Sequence, residues 1–259
     1  MATMTANHPS PGTIRFDRVE KTYQTTDGGY TTAVADVSLT VEPGELLTVV
    51  GPSGCGKTTL IRLVAGLEAP TAGRVQVDGT DVPGPAPERP VVFQEPRLFP
   101  WLTARENVAF GLRETDHTEA KIRQRAAEQL KSVGLGDAGG AYPTELSGGM
   151  KQRVGLARAL AVQPPVLLMD EPFGSVDAHT SRDLQDDLLS VWSRTERTVL
   201  FVTHDIGEAV YLGDRVVVMG TDPGHIRETV TVDVARPRDR TDPALADYRE
   251  RILELIDGN

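Results

Sequence analysis

The sequence has one cysteine, Cys55, so no disulfide can form within the chain. Lysine is also scarce: Lys21, Lys57, Lys121, Lys131 and Lys151 are the only five among 27 basic residues. No apolar run approaches the roughly 18–20 residues that span a bilayer. The opening stretch, Met1 to Gly12, has neither the basic start nor the apolar core of a signal peptide, and residues 1–12 are expected to be a mobile tail. These absences predict a soluble cytoplasmic protein. The formal charge of -10 argues against nucleic acid as the main partner. Low lysine with abundant aspartate fits a high-salt cytoplasm, where self-repulsion is screened, and equally an ordinary acidic protein; composition leaves both open. The chain is 39% hydrophobic over 259 residues, enough for one sizeable core or two small ones.

What is present centres on Gly51-Pro52-Ser53-Gly54-Cys55-Gly56-Lys57-Thr58, a G-x-x-x-x-G-K-T loop. The apolar run Glu45 to Val50 precedes it with strand character, and Thr59 to Ala65 follows with helical character. Strand, glycine loop and helix form the context in which this pattern cradles phosphate. Glycines let successive backbone N–H groups turn inward, and the helix N-terminus adds unpaired donors and a favourable dipole. Lys57 is placed to reach the β- and γ-phosphates, and the Thr58 hydroxyl to ligate Mg²⁺.

Alternation at Ile14 to Asp17 and Val75 to Gly79, and the mixed run Asp36 to Val41, predict short antiparallel strands beside the loop. Pro83 to Pro90 breaks structure, and Val91 to Phe93 is a buried-strand candidate ending at Gln94. From about Glu95 to Val162 the pattern is helical. Asp116…Glu119 resembles a capping box, and Ile122, Ala126, Leu130 and Val133 lie on one helix face. A second helix is expected from about Ser147 to before Pro164-Pro165. Continuous apolar runs return at Val166 to Met169, Val199 to Val202 and Val216 to Met219. Leu184, Leu188, Val191 and Trp192 mark a crossover helix. Such runs alternating with helices mean a parallel sheet covered on both faces. Tyr248, Ile252, Leu253 and Ile256 suggest a last helix.

Asp170-Glu171 follows the strand Val166 to Met169, at the ligand edge of a parallel sheet. Asp170 is placed to hold the Mg²⁺ shell, and Glu171 to act as general base on the attacking water. Taken alone, such a pair is more often a solvated strand end; the phosphate loop upstream changes the reading. In Leu146-Ser147-Gly148-Gly149-Met150, Ser147 is a good N-cap and the two glycines expose backbone N–H groups. Locally a plain helix cap explains it. Yet the chain then has two glycine-rich helix N-termini suited to phosphate, which one nucleotide could touch if two chains paired head to tail.

Together these motifs resemble the ATP-binding subunit of an ATP-binding-cassette (ABC) transporter. Gly51 to Thr58 matches Walker A, Leu146 to Met150 the LSGGQ signature with Met in place of Gln, and Val166 to Glu171 Walker B. Gln94 matches the Q-loop, His204 the switch histidine and Tyr23 the aromatic that stacks on adenine. Ser175-Val176-Asp177 fills the D-loop, where the family more often has Ala-Leu-Asp. The resemblance implies an α/β P-loop NTPase (RecA-like) core with a mainly parallel sheet, an antiparallel β subdomain and a helical insert. It places 13–94 and 163–225 in the core with its β subdomain, 95–162 in the helical subdomain, and 226–259 in a C-terminal extension. It implies that Tyr23, Gly51 to Thr58, Thr59, Ser147, Gly148, Gly149 and Asp177 contact ATP. Thr58, Gln94 and Asp170 would surround Mg²⁺, and Glu171, His204 and Gln94 would serve catalysis.

The run Phe93 to Thr103, with Asn107-Val108, resembles more finely the nitrate/sulfonate/taurine importer subfamily. That resemblance implies a second ATP-binding subunit, membrane-spanning permease subunits docking near Gln94 to Trp101, and an extracytoplasmic solute-binding protein. The subunit would sit at the cytoplasmic face of the membrane. Leu98, Phe99 and Trp101 are either core or, if exposed, the groove for a permease helix. Cys55 reads as a tolerated small residue, its labelling expected to block ATP binding. Two rivals remain: a soluble cassette ATPase acting on nucleic acid or ribosomes, and a non-catalytic nucleotide-binding regulator. The first needs a coiled-coil insert, second cassette or basic surface; Lys57, Glu171 and His204 argue against the second.

Overall fold

A computed structural model describes residues 12–115, 117–195 and 197–258. An antiparallel sheet is built from β1 (Ile14–Gln24), β2 (Tyr30–Val41), β4 (Ala72–Val77) and β5 (Thr80–Asp81), in the order β2-β1-β4-β5. Between β2 and β4 the chain forms β3 (Leu46–Val50) and α1 (Lys57–Val64). It continues through β6 (Val91–Phe93) into α2 (Ala104–Phe110), α3 (Glu119–Ser132) and α4 (Gly148–Ala161), which pack on one another. It returns as β7 (Val166–Asp170), α5 (Ala178–Thr195), β8 (Thr198–Val202), α6 (Ile206–Leu212), β9 (Arg215–Gly220), β10 (His225–Thr231) and α7 (Pro243–Asp257).

The second sheet runs β10-β9-β3-β8-β7-β6, parallel except for β10. Strands β3, β7, β8 and β9 are almost wholly apolar and buried because both faces are covered. Along β3, Leu46 and Val50 join a core with α4, α5 and α6, whereas Leu47 and Val49 join one with α1 and the antiparallel sheet. In β8, Val199 and Phe201 face the first core, and Leu200 and Val202 the second. The loops leaving the carboxyl ends of β3, β7 and β8 therefore meet at one edge, where ligands bind in open α/β sheets.

The helical insert matches its sequence pattern: Ile122, Ala126, Leu130 and Val133 are all buried. Its cap differs from expectation. Thr118, not Asp116, caps α3, its hydroxyl accepting the Lys121 N–H at 3.4 Å. Glu119 is then the first helical residue, so it cannot close a capping box from the third position; Asp116 lies outside the described residues.

Residues 1–11 of the expected tail also lie outside them. Gly12 belongs to the folded body, its N–H donating to the Pro165 carbonyl at 3.2 Å and its carbonyl accepting from the Thr198 hydroxyl. The 226–259 extension starts as a sheet strand, β10, and α7 packs on α6 and β9. In α7, Leu245 and Ile252 are buried, but Leu253 is exposed.

Candidate nucleotide site

The turn from β3 into α1 is fixed by local sterics. Gly56, the residue before α1, has φ 92°, and an added Cβ would lie 2.3 Å from Val34 Cγ1. Only glycine fits this position without displacing β2. Lys57, largely buried, folds its ammonium back over the loop, donating to the carbonyls of Gly51 at 2.8 Å and Pro52 at 3.1 Å. Ser53 and Gly54 are exposed at the loop's crest.

The Cys55 sulfur lies beneath the loop, 3.8 Å from the Lys57 ammonium. The Cys55 side chain is wholly buried in the core beneath the antiparallel sheet, and burial pushes its thiol pKa up, against a smaller opposing pull from Lys57. With its side chain buried, Cys55 presents only its backbone to a phosphate, and its N–H here donates to the Pro52 carbonyl at 3.3 Å. Thr59 is likewise buried in α1.

Thr58, Gln94, Asp170, Glu171 and Ser175 converge on a cavity of about 430 Å³. The Thr58 hydroxyl donates to Asp170 Oδ1 at 3.0 Å. Burial raises the Asp170 carboxyl above its ordinary pKa; the Thr58 hydrogen bond pulls the other way and the Glu171 charge adds to the rise. Glu171 sits just past β7 with φ 48°, a backbone region uncommon for a non-glycine residue. Its N–H donates to the Val202 carbonyl at 2.9 Å, which ties it to the end of β8. From there its Oε2 lies 2.9 Å from Nδ1 of His204, an exposed side chain two residues beyond β8. Such strain at a ligand edge is where functional residues concentrate.

Gln94 follows β6, and its segment is gripped from two sides. Ser175 donates to the Gln94 carbonyl at 2.9 Å. From α4, Gln152 Nε2 donates to the Phe93 carbonyl at 3.0 Å. Arg158 of the same helix reaches the carbonyls of Pro96 at 2.7 Å and Arg97 at 3.1 Å. Beyond it, the Phe99 ring packs on Trp101 and Phe110 with centroids 5.6 and 4.4 Å away. Phe99 is half-buried, whereas Trp101 is 69% exposed. Asn107, fully buried, fixes this turn by accepting from the Phe99 N–H at 2.8 Å and donating to the carbonyls of Phe99, Leu102 and Thr103.

Ser147, Gly148 and Gly149 do not line this cavity. The Ser147 hydroxyl caps α4, accepting the Met150 N–H at 3.2 Å, and Ser147 and Gly148 are exposed. Asp177, expected at the nucleotide, is the cap of α5. Its carboxylate accepts from the N–H groups of His179 and Thr180 and from the Thr180 hydroxyl, which holds it below the ordinary carboxylate range. Tyr23 is half-buried near the end of β1, and its hydroxyl donates to Glu68. Sequence reading missed Glu68, which lies in no motif, and gave Ser175 only a place in the D-loop; the fold brings Glu68 to Tyr23 and the Ser175 hydroxyl to the Gln94 carbonyl.

Residues 34–174 match the family model described as ABC transporter, more than half of the chain. The chain belongs to the ABC transporter family. It has the α/β P-loop cassette fold and is an ABC-type ATPase. Among ABC transporter subunits, an aliphatic sulfonates import ATP-binding protein of Bacillus licheniformis is 45% identical over 86% of this chain and 87% of its own. A nitrate import ATP-binding protein of Synechococcus elongatus is 44% identical over 97% of this chain and 94% of its own. Among solved ABC structures, a dimeric ATP-binding cassette in a post-hydrolysis state with ADP and Pi is 31% identical. It has a TM-score of 0.75 and covers 86% of this chain and 100% of that one.

Proposed function

We propose that this chain is the ATP-hydrolysing subunit of an importer for a small anion such as nitrate or a sulfonate. The observation that carries the catalytic reading is the convergence of the Thr58–Asp170 pair and of Glu171, itself bonded to His204, on one cavity at the strand ends. The relatives named for sulfonate and nitrate import support the anion class.

ATP would lie along the loop, with the Tyr23 ring against adenine. Lys57 would exchange its two carbonyl partners for β- and γ-phosphate oxygens. The Thr58 hydroxyl and Asp170 carboxylate, joined by a hydrogen bond, are hard oxygen donors suited to Mg²⁺, with the Gln94 amide on the same cavity. Among the described residues no group of three or more His, Cys, Asp or Glu could hold a metal. That fits an ion shared with phosphate and water rather than caged by protein. Bound there, Mg²⁺ would neutralise charge on the phosphate oxygens. Glu171 would accept the proton of the attacking water, its carboxylate held in place by His204 Nδ1.

Ser147 to Gly149 lie outside this cavity, which supports a site completed by a second copy paired head to tail. The exposed Trp101 beside Phe99 and Phe110 would receive a helix of the permease subunits. No helix of the described residues is long and apolar enough to cross a membrane, so the subunit would attach peripherally at the cytoplasmic face. An extracytoplasmic solute-binding protein would complete the system.

Glu171→Gln tests the reading. The amide keeps the shape but cannot take the proton, and ATP turnover should fall ~10²–10⁴-fold. Nucleotide binding should survive, and ATP with Mg²⁺ should hold two copies together in size-exclusion chromatography where ADP does not. Turnover at the unsubstituted rate would remove Glu171 from the mechanism.

A further inference from the structure

Tyr23 does not stand alone. Its hydroxyl donates to Glu68 Oε2, while Arg62 donates to Glu68 Oε1 at 3.2 Å and Lys21 Nζ lies 3.6 Å from Oε2. Lys21 also donates to the Ala69 carbonyl at 2.9 Å, and its ammonium lies 5.0 Å from the Tyr23 ring centroid, covering one face of the ring. The other face is the one a base could use. The Glu68 side chain is only 20% exposed, and its hydrogen bonds hold its pKa down against the opposing effect of burial. The Tyr23 pKa is raised, first by burial and then by Glu68, so the phenol stays protonated and donates.

The route of the chain gives this carboxylate its position. Helix α1, whose first residue is Lys57, ends in a tight turn at Gly66, where φ is 73° and an added Cβ would lie 2.1 Å from the Gly84 carbonyl oxygen. The Leu67 N–H bonds back to the Arg62 carbonyl at 2.9 Å, the six-to-one closure of a helix end. Glu68 therefore returns from the far end of α1 to meet Arg62 on that helix and Tyr23 on β1. One carboxylate ties the helix that begins at the phosphate loop to the ring on the other sheet.

We propose that Glu68 is a positioning residue for the nucleotide base: anchored on α1 through Arg62, it holds the Tyr23 ring at a set distance and angle from the phosphate loop. This rests on the reading of Tyr23 as the adenine platform. A hydrogen bond with one charged partner is strong enough to select a single rotamer of a half-buried aromatic, and a freed ring must be reordered when the base binds. The contribution concerns the base and not the phosphates. Glu68 makes no contact with Lys57, Thr58 or Asp170.

The test compares ATP and inorganic tripolyphosphate, by calorimetry on the whole chain with Mg²⁺, for Glu68→Ala, Tyr23→Phe, the double variant and Tyr23→Ala. Glu68→Ala and Tyr23→Phe should each weaken ATP by roughly five- to tenfold. The double variant should be no weaker than the worse single one, since both remove the same bond. Tripolyphosphate affinity should stay unchanged in all four. Glu68→Gln keeps an acceptor for the phenol and should recover most of the ATP affinity. Equal losses for ATP and tripolyphosphate in Glu68→Ala would overturn the proposal in favour of a scaffold role for α1. Unaltered ATP affinity in Tyr23→Phe, which keeps the ring and needs no change at Glu68, would overturn it even if Glu68→Ala fails to fold. Unaltered ATP affinity in Tyr23→Ala would instead remove the platform itself.

Discussion

Glu208, four residues after His204, offers a prediction whose size follows from its surroundings. It lies on α6, almost fully buried, and burial pushes its carboxyl from the ordinary 4.5 to about 7. The Asp205 charge adds to the rise, while hydrogen bonds from Thr203 and Gln185, the latter at 3.0 Å, and the nearby His204 oppose it. The folded state thus binds the proton more tightly than the unfolded chain. Stability from the neutral carboxyl is fully present below the unfolded value of 4.5 and is lost as pH rises through about 7. Glu208→Gln keeps an oxygen for Gln185 and stays neutral at every pH. The displacement corresponds to about 3 kcal/mol if fully expressed, and relaxation with water entry leaves ~1–3 kcal/mol. Urea unfolding should show the variant more stable by that amount at pH 8, with a gap that closes towards pH 5. At roughly 2–4 °C per kcal/mol for a domain of this size, melting at pH 8 should rise by several degrees. A gap that does not change with pH would refute the burial argument, as would a wild-type protein that is the more stable at pH 8.

Ser147→Arg should stop hydrolysis while sparing ATP binding to the isolated chain, and mixing it with Lys57→Ala should restore part of the activity through one intact shared site. No rescue in mixed dimers would count against head-to-tail pairing. The Cys55 thiol should react with a bulky disulfide reagent far more slowly in the native protein than in denaturant, because its side chain is wholly buried; equal rates would place it at the surface. Trp101→Ala should leave soluble ATPase activity intact and weaken docking to the permease subunits, as read by co-purification from membranes. Loss of folding would show that the ring belongs to the core.

Much of this architecture is legible in the sequence because burial leaves a periodic imprint. The stripe Ile122, Ala126, Leu130 and Val133 marks the inner face of α3, and the continuous run at β8 marks a strand covered on both sides. The phosphate loop, Asp170 and Glu171 are legible because their chemistry demands fixed residue types at short spacing. What escapes notice has no such imprint. Strand β10, His-Ile-Arg-Glu-Thr-Val-Thr, is a largely polar edge strand whose pairing shifts register between Ile226 and Glu228. Glu68 meets Tyr23 across 45 positions, and no local rule anticipates that encounter. The cap of α3 went astray because Thr118 and Asp116 are both good caps, and only the backbone path decides between them.

The grip of α4 on the Gln94 segment has a mechanical side. The helical insert joins the rest of the chain through two crossings, and each carries a non-glycine residue with positive φ: Arg97 at 43° and Gln163 at 52°. The helix that begins at Ser147 also clasps the outgoing crossing through Gln152 and Arg158. If a phosphate held on a second copy engages that first turn, as proposed, the pull would pass through Gln152 and Arg158 to the strand end that bears Gln94. Under the proposed pairing the lobe would work as a rocker arm, with its exposed Ser147 tip towards the second copy and its other end on its own chain's cavity.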